Sequence, residues 1–174
     1  MNTRWLQGIV LAGVVALAAC AQPATMGTAD EETALRGMGA KYADLFNKND
    51  ASGLAAMVTE DYQAIQPDGT TISGRAKFEE SEKAQIAERT AAGLTLKLDV
   101  KTSLFKWTSA TSAVAGGTWT MAGIPPGMGA DHGAWQVTFL KGADAKWLMY
   151  TALVSEYHAP PAPPTAPTEM KKGK

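Results

Sequence analysis

The segment YADLFNKNDASGLAAMVTEDYQAIQPDGTTISGRAKF, residues 42–78, changes from helical to strand periodicity and therefore decides the fold. It begins on the apolar face of a first helix, which we expect to end near Asn47 to Asn49. Asp50 then provides an N-cap for a short second helix. The buried edge of that helix is predicted to comprise Leu54, Met57 and Val58.

A small hairpin and a third helix follow within the same segment and just beyond it. The turn signal Pro67-Asp68-Gly69 separates a short strand containing Tyr62 and Ala64 from a second strand at residues 70–72. The third helix is predicted from Ser73 or Gly74 to about Thr90, with Gly93 closing it. Its apolar face is weak, because its only large apolar residues are Phe78 and Ile86.

Upstream of the segment, the first helix begins with a recognisable cap. Thr28 is followed three residues later by Glu31, which is the spacing of a capping box. The residues that recur at helical spacing along its apolar face are Leu35, Met38, Tyr42, Leu45 and Phe46.

Downstream, residues 94–157 have the period of four long strands. Residues 94–101 alternate leucine or valine with polar residues, as in a half-buried antiparallel strand. Beyond Thr102 the alternation slips, since Phe105 and Trp107 take the opposite parity, and this slip predicts a bulge that bends the sheet. The other strands are predicted at residues 111–123, about 134–140 and 147–157, with a long connection at 124–133. The sequence therefore predicts an α+β domain.

The two ends of the chain differ from this domain in composition. Residues 1–19 carry Arg4, then the apolar run WLQGIVLAGVVALAA, too short for a confident membrane span, and they end just before Cys20. We interpret this as a bacterial lipoprotein signal peptide, with Cys20 as the lipidated residue and 20–27 as a tether to a domain at 28–157. Residues 158–174 contain five prolines and are predicted to be a disordered tail.

Charge and metal-ligand counts exclude several classes of function. The net charge is −1 and the only lysine cluster lies at the extreme tail, so nucleic-acid binding is not expected. With one cysteine, no intramolecular disulfide can form. With two histidines and that cysteine, no zinc site of three or four such ligands can be assembled. No phosphate-binding glycine motif follows a strand, so no cofactor is implied.

The order of helices, hairpin and long strands resembles the SnoaL-like branch of the nuclear-transport-factor-2-like superfamily. The matching stretches are residues 42–78 and GAWQVTFLKGADAKWLMYTALVSEY, residues 133–157. The resemblance implies a cone: a curved, mostly antiparallel sheet wrapped around about three N-terminal helices, with one open apolar pocket. It is also called a cystatin-like α+β barrel.

Enzymes of this superfamily, as the resemblance implies, pair a pocket carboxylate base with a tyrosine or a protonated acid that stabilises an oxyanion. A base must lie within about 3 Å of the proton that it removes. Tyr42 on the first helix and Tyr62 on the first strand are the candidate donors. Such relatives often carry an acidic residue within the last strand, but the corresponding residues 149–153 include none, which weakens the enzyme interpretation. The remaining candidates for the base are Asp61 and His132, the latter beside Asp131.

Three functions remain open at this point. We favour an envelope lipoprotein, facing the periplasm from the outer membrane, that binds a small apolar or amphipathic molecule or a partner without catalysis. The alternatives are a small enzyme, such as an isomerase, cyclase or hydratase, and a homodimeric scaffold. A carboxylate or His132 within reach of a tyrosine hydroxyl inside the cavity would favour the enzyme. The candidate ligand-binding residues are Tyr42, Tyr62, Trp119, Trp135 and Tyr150.

Overall fold

A computed structural model describes residues 26–157 of the chain. Its helices are α1 (Ala29–Arg36), α2 (Met38–Asn47), α3 (Ala51–Ala55) and α4 (Arg75–Ala91). Its strands are β1 (Val58–Ile65), β2 (Thr71–Ser73), β3 (Lys97–Ser109), β4 (Ser112–Ala122), β5 (His132–Lys141) and β6 (Trp147–Glu156). The predicted signal peptide, Cys20, most of the tether and the Pro-rich tail lie outside these residues.

The six strands form one curved sheet in the order β2-β1-β6-β5-β4-β3. Every neighbouring pair is antiparallel except β1 and β6, which run parallel. The predicted α+β class and the mostly antiparallel cone are therefore confirmed. None of the helices between residues 26 and 157 has the length and apolar character that crossing a bilayer requires.

The first predicted helix is two helices. The capping box is present, since the Thr28 hydroxyl accepts a hydrogen bond from the Glu31 backbone N–H and the Glu31 side chain accepts one from the Thr28 N–H. Gly37 ends α1 and begins α2, so the continuous helix that we predicted is wrong at this point. Asn47 then joins α2 to β3, because its amide exchanges two hydrogen bonds with the backbone of Leu98 at 2.8 and 2.9 Å.

The short second helix and the hairpin follow the predicted order. Asp50 caps α3 by accepting a hydrogen bond from the Gly53 N–H at 2.8 Å. The helix ends at Ala55, so the prediction that Met57 and Val58 belong to it is wrong: Met57 lies in the turn that follows, and Val58 begins β1, which at eight residues is longer than expected. Gly74, at φ 87°, then turns the chain into α4, and its N–H donates to the Tyr62 carbonyl at 2.7 Å.

The bulge predicted beyond Thr102 is confirmed. The register between β3 and β4 shifts between Thr102 and Leu104, so Ser103 is the extra residue. Phe105 and Trp107 consequently lie opposite Ala115 and Ala113, on the core side of the sheet. Gly117 lies beside this bulge, and a Cβ there would come 1.9 Å from the backbone oxygen of Lys101.

The core fills the space between the helices and the concave face of the sheet. Its fully buried large side chains come from α1, α3, β1 and β5: Leu35, Leu54, Val58 and Phe139. The convex face is more polar. Ile65 and Leu153 are paired neighbours there, each about half exposed, whereas Gln136 and Gly116 separate this pair from Leu104.

Candidate functional site

A cavity of about 270 Å³ lies between α2, α4 and the concave face of the sheet. Strands β1, β3, β4, β5 and β6 all contribute inward-facing side chains to it, because alternate residues of a strand share one face. Most of the lining is apolar. Its aromatic members are Tyr42, Phe46, Tyr62, Phe78, Trp119, Trp135 and Phe139.

Glu82 supplies a carboxyl group to this apolar lining. Its side chain projects from α4 and is only 5% exposed. Oε1 accepts a hydrogen bond from the Tyr42 hydroxyl at 3.3 Å. Oε2 is fully buried, and no residue of the described range 26–157 donates a hydrogen bond to it. A buried carboxyl oxygen without a donor is unusual and requires an explanation.

The apolar surroundings shift the acid–base equilibria of this group and its neighbours. Burial raises the pKa of Glu82 above its ordinary value, and the hydrogen bond from Tyr42 and the charge of Arg89 only partly oppose that effect. Burial also raises the pKa values of Tyr42 and Tyr62, and the nearby Glu82 carboxylate raises them further. The Glu82 carboxyl therefore keeps its proton to a higher pH than an exposed glutamate does, and the two neighbouring phenols stay neutral.

Arg89 lies behind the cavity wall, about two turns further along α4 than Glu82. Its guanidinium donates to Oδ1 of Asn49 at 2.6 and 3.1 Å and stacks on Phe46, 4.3 Å from the ring centroid. Asn49 holds its own position with φ 57°, a conformation that asparagine tolerates better than most residues. Arg89 thus ties the connection between α2 and α3 to α4 and does not line the cavity.

A polar groove adjoins the cavity at the end of the sheet where β1 and β6 terminate. Four residues line both spaces, namely Gln66, Pro67, Gln85 and Glu156. Asp68 and Thr70 also line the groove, and Asp68 accepts hydrogen bonds from the Thr70 N–H and hydroxyl at 2.9 and 2.7 Å. The groove is therefore a polar space next to an apolar interior, and we take it as the candidate entrance.

Four of the predicted ligand-binding residues line the cavity: Tyr42, Tyr62, Trp119 and Trp135. The indole N–H groups of both tryptophans donate to backbone carbonyls, at 3.2 and 3.3 Å. They consequently offer ring surface, and no free donor, to a bound molecule. Tyr150, the fifth predicted residue, is partly buried and does not line the cavity.

Neither predicted candidate for the base lies in the cavity. Asp61 is exposed on β1. His132 is also exposed, with Nδ1 2.6 Å from Asp131 and its ring packed against Tyr157. The hydrogen bond with His132 lowers the pKa of Asp131. This pair is brought together by sequence adjacency at the start of β5, away from Tyr42 and Tyr62.

Glu82 was not among the predicted site residues, because the apolar face predicted for this helix included only Phe78 and Ile86. The signal was present in the spacing: Phe78, Glu82, Gln85 and Arg89 recur at intervals of four, three and four, which places them on one helical face. Since Phe78 is buried, this register places Glu82 and Arg89 toward the core, where both are buried, whereas Gln85 is exposed. Within the described residues, no group of three or more acidic, histidine or cysteine side chains is arranged to bind a metal.

Comparisons with known proteins identify the fold. No protein-family model and no curated protein matches the chain. Among solved structures, a cystatin-like domain from Nostoc punctiforme matches with a TM-score of 0.63 at 18% identity, covering 76% of this chain and 80% of that one. An NTF2-like protein with a cystatin-like fold from Novosphingobium aromaticivorans matches at 0.58 and 19% identity, covering 76% and 86%.

A third solved structure, from the same Novosphingobium species, is assigned provisionally as a scytalone dehydratase. It matches with a TM-score of 0.58 at 17% identity, covering 80% of this chain and 96% of that one. At these identities the likeness extends to the fold alone. The curved six-stranded sheet and its few helices therefore have the cystatin-like, NTF2-like α+β architecture.

Proposed function

We propose that this chain binds a small amphipathic molecule in the cavity between α2, α4 and the sheet. One observation carries the proposal: the buried Oε2 of Glu82, in an apolar cavity, has no donor among residues 26–157. An unsatisfied buried polar group costs about 1–3 kcal/mol, which a donor on the ligand would offset. Apolar clefts with few well-placed polar groups are typical of small-molecule sites.

The experiment is native mass spectrometry of the full chain purified from its own host, with Ala152→Phe as the test variant. Ala152 lines the cavity, so a phenyl ring there reduces the space for a ligand. We expect the wild type to retain a small molecule and the variant to lose it. Glu88→Gln, at an exposed site on α4, is the matched control and should retain it. Equal retention by Ala152→Phe would contradict the proposal.

A second candidate function is proton transfer by a small enzyme of the SnoaL-like type. Two observations favour it: the pKa of Glu82 is raised by burial, and the Tyr42 hydroxyl lies 3.3 Å from its carboxyl. A carboxyl tuned toward neutral pH can give or take a proton, and Tyr62 could donate to a developing oxyanion. Isomerisation, cyclisation and dehydration can each use such a pair, and the provisional name of the Novosphingobium structure belongs to the last class.

Incubating the protein with the molecule identified by mass spectrometry distinguishes an enzyme from a binding protein, because only an enzyme converts it. If that molecule is converted, Glu82→Gln should abolish conversion while still binding it, and Glu88→Gln should convert it at the wild-type rate. Recovery of the molecule unchanged after prolonged incubation would leave binding as the function.

We also propose that the domain is held in the bacterial envelope by a lipidated Cys20. The support is the apolar leader that ends in Leu17, Ala18 and Ala19 before the single cysteine. Mass spectrometry of membrane-extracted protein should find the chain beginning at an acylated Cys20, and Cys20→Ser should release it to the soluble fraction. Wild-type protein that is soluble and retains Met1 would exclude the proposal.

Fewer observations support a homodimer than support ligand binding. Only the paired Ile65 and Leu153, each about half exposed, suggest an apolar contact on the convex face of the described domain. Sedimentation of the wild type and of Leu153→Lys would decide it, because a dimer using this face should dissociate in the variant.

A further inference from the structure

Acidic groups line the route into the cavity, and no basic side chain of residues 26–157 lines it. Asp68 lines the groove, and Glu82 lines the cavity. Hydrogen bonds from Thr70 hold the pKa of Asp68 below its ordinary value, so this carboxylate is charged at neutral pH. An entrance lined by one sign of charge attracts solutes of the opposite sign.

The aromatic lining of the cavity also favours a positively charged ligand. Trp119 and Trp135 present ring surface, because their N–H groups are engaged by backbone carbonyls. Aromatic faces attract cations, and tryptophan does so most strongly. Arg89, the buried cation nearest to Glu82 on α4, is held by Asn49 and Phe46 behind the wall. It is therefore not presented to an anion in the cavity.

We propose that the ligand is an amphipathic cation, an organic amine on an apolar body, whose ammonium group donates to Oε2 of Glu82. The inference rests on the ligand-binding function proposed above and specifies its chemistry. The ammonium supplies the donor that Oε2 lacks and a positive charge that stabilises the ionised carboxylate. The other titratable groups that face Glu82 are Tyr42, Tyr62 and Arg89, of which only Arg89 carries charge at neutral pH.

The test compares three probes that share one two-ring body: 1-naphthylmethylamine, 1-naphthylmethanol and 1-naphthoic acid. At neutral pH they are a cation, a neutral alcohol and an anion. Dissociation constants are measured by titration calorimetry on the full chain and on Glu82→Gln and Glu88→Gln. We expect the amine to bind about tenfold more tightly than the alcohol, which is the effect of one cation–π or charged hydrogen-bond contact of ordinary strength, and the acid to bind weakest.

The measure of preference is the dissociation constant of the alcohol divided by that of the amine. In Glu82→Gln this ratio should fall toward one, whereas in Glu88→Gln it should stay at the wild-type value. Equal binding of all three probes by the wild type, or tighter binding of the acid, would overturn the cationic ligand and leave the binding function standing. An amine preference that survives in Glu82→Gln would overturn the role of Glu82. If no probe binds, the proposed cavity function fails together with this inference.

Discussion

Glu82→Gln tests whether the buried carboxyl holds its proton in the folded protein. Burial raises the pKa of Glu82 above its ordinary value of 4.5, so over the interval between these two pKa values the folded chain binds one proton more than the unfolded chain. Stability then falls as pH rises, by about 1.4 kcal/mol per pH unit. Because the side chain is only 5% exposed, solvent screening reduces the pKa shift itself little.

Glutamine has nearly the same shape as glutamate and cannot ionise, so the variant does not lose stability in this way as the pH rises. We expect the free energy of unfolding of Glu82→Gln to rise relative to wild type as the pH increases from 4.5, and the difference to level off above the folded pKa of Glu82. Carboxylates with lowered pKa values, such as Glu31 and Asp68, contribute with the opposite sign. They are common to both proteins and cancel in the difference.

Urea unfolding followed by fluorescence of the four tryptophans of the folded domain, from about pH 4 to about pH 9, measures this difference directly. Glu88→Gln is the control, and its difference from wild type should show no comparable slope. A difference between Glu82→Gln and wild type that is constant over the whole range would refute a raised pKa for Glu82. A difference that falls as the pH increases would refute it equally.

Three further predictions concern the scaffold. Leu54→Ala removes a fully buried side chain and should destabilise the fold by about 2–5 kcal/mol in urea unfolding, whereas Leu153→Ala at a half-exposed site should change stability by less than about 1 kcal/mol. Gly117→Ala places a Cβ against the backbone of β3 and should lower the melting temperature well beyond the control Thr118→Ala, which is exposed on the same strand. The pKa of Glu31 is lowered to about 2, chiefly by its hydrogen bond with Lys141, so the ionised carboxylate stabilises the fold above pH 4.5. Glu31→Gln should therefore be less stable than wild type at neutral pH, and this difference should disappear as the pH falls toward 2. A difference in stability that stays constant with pH would contradict this.

Local signals in the sequence predicted most of the fold. The Thr28 capping box, the Asp50 cap and the bulge beyond Thr102 each depend on residues a few positions apart, and all three are present. The break at Gly37 was missed because glycine within an apolar helical pattern is often tolerated. The parallel pairing of β1 with β6 joins residues about ninety positions apart, and no local pattern encodes such a contact.

The candidate site was predicted only in part, for a related reason. Tyr42, Tyr62, Trp119 and Trp135 were identified because aromatic residues stand out on an amphipathic helix or strand. Glu82 was not, since an acidic residue on a charged helix is normally solvated, and only the depth of the cavity in three dimensions explains its burial.

Gly27, at the start of the domain, lies far from the polar groove. Gly27 packs against Trp107, which contacts Trp147 at the first residue of β6, whereas Glu156 at the last residue of β6 borders the groove. Ten residues of extended strand separate these points by about 30 Å. If the chain is anchored through Cys20 as proposed, the tether would therefore enter the domain about 30 Å from the groove, and a ligand could reach the groove from the aqueous side.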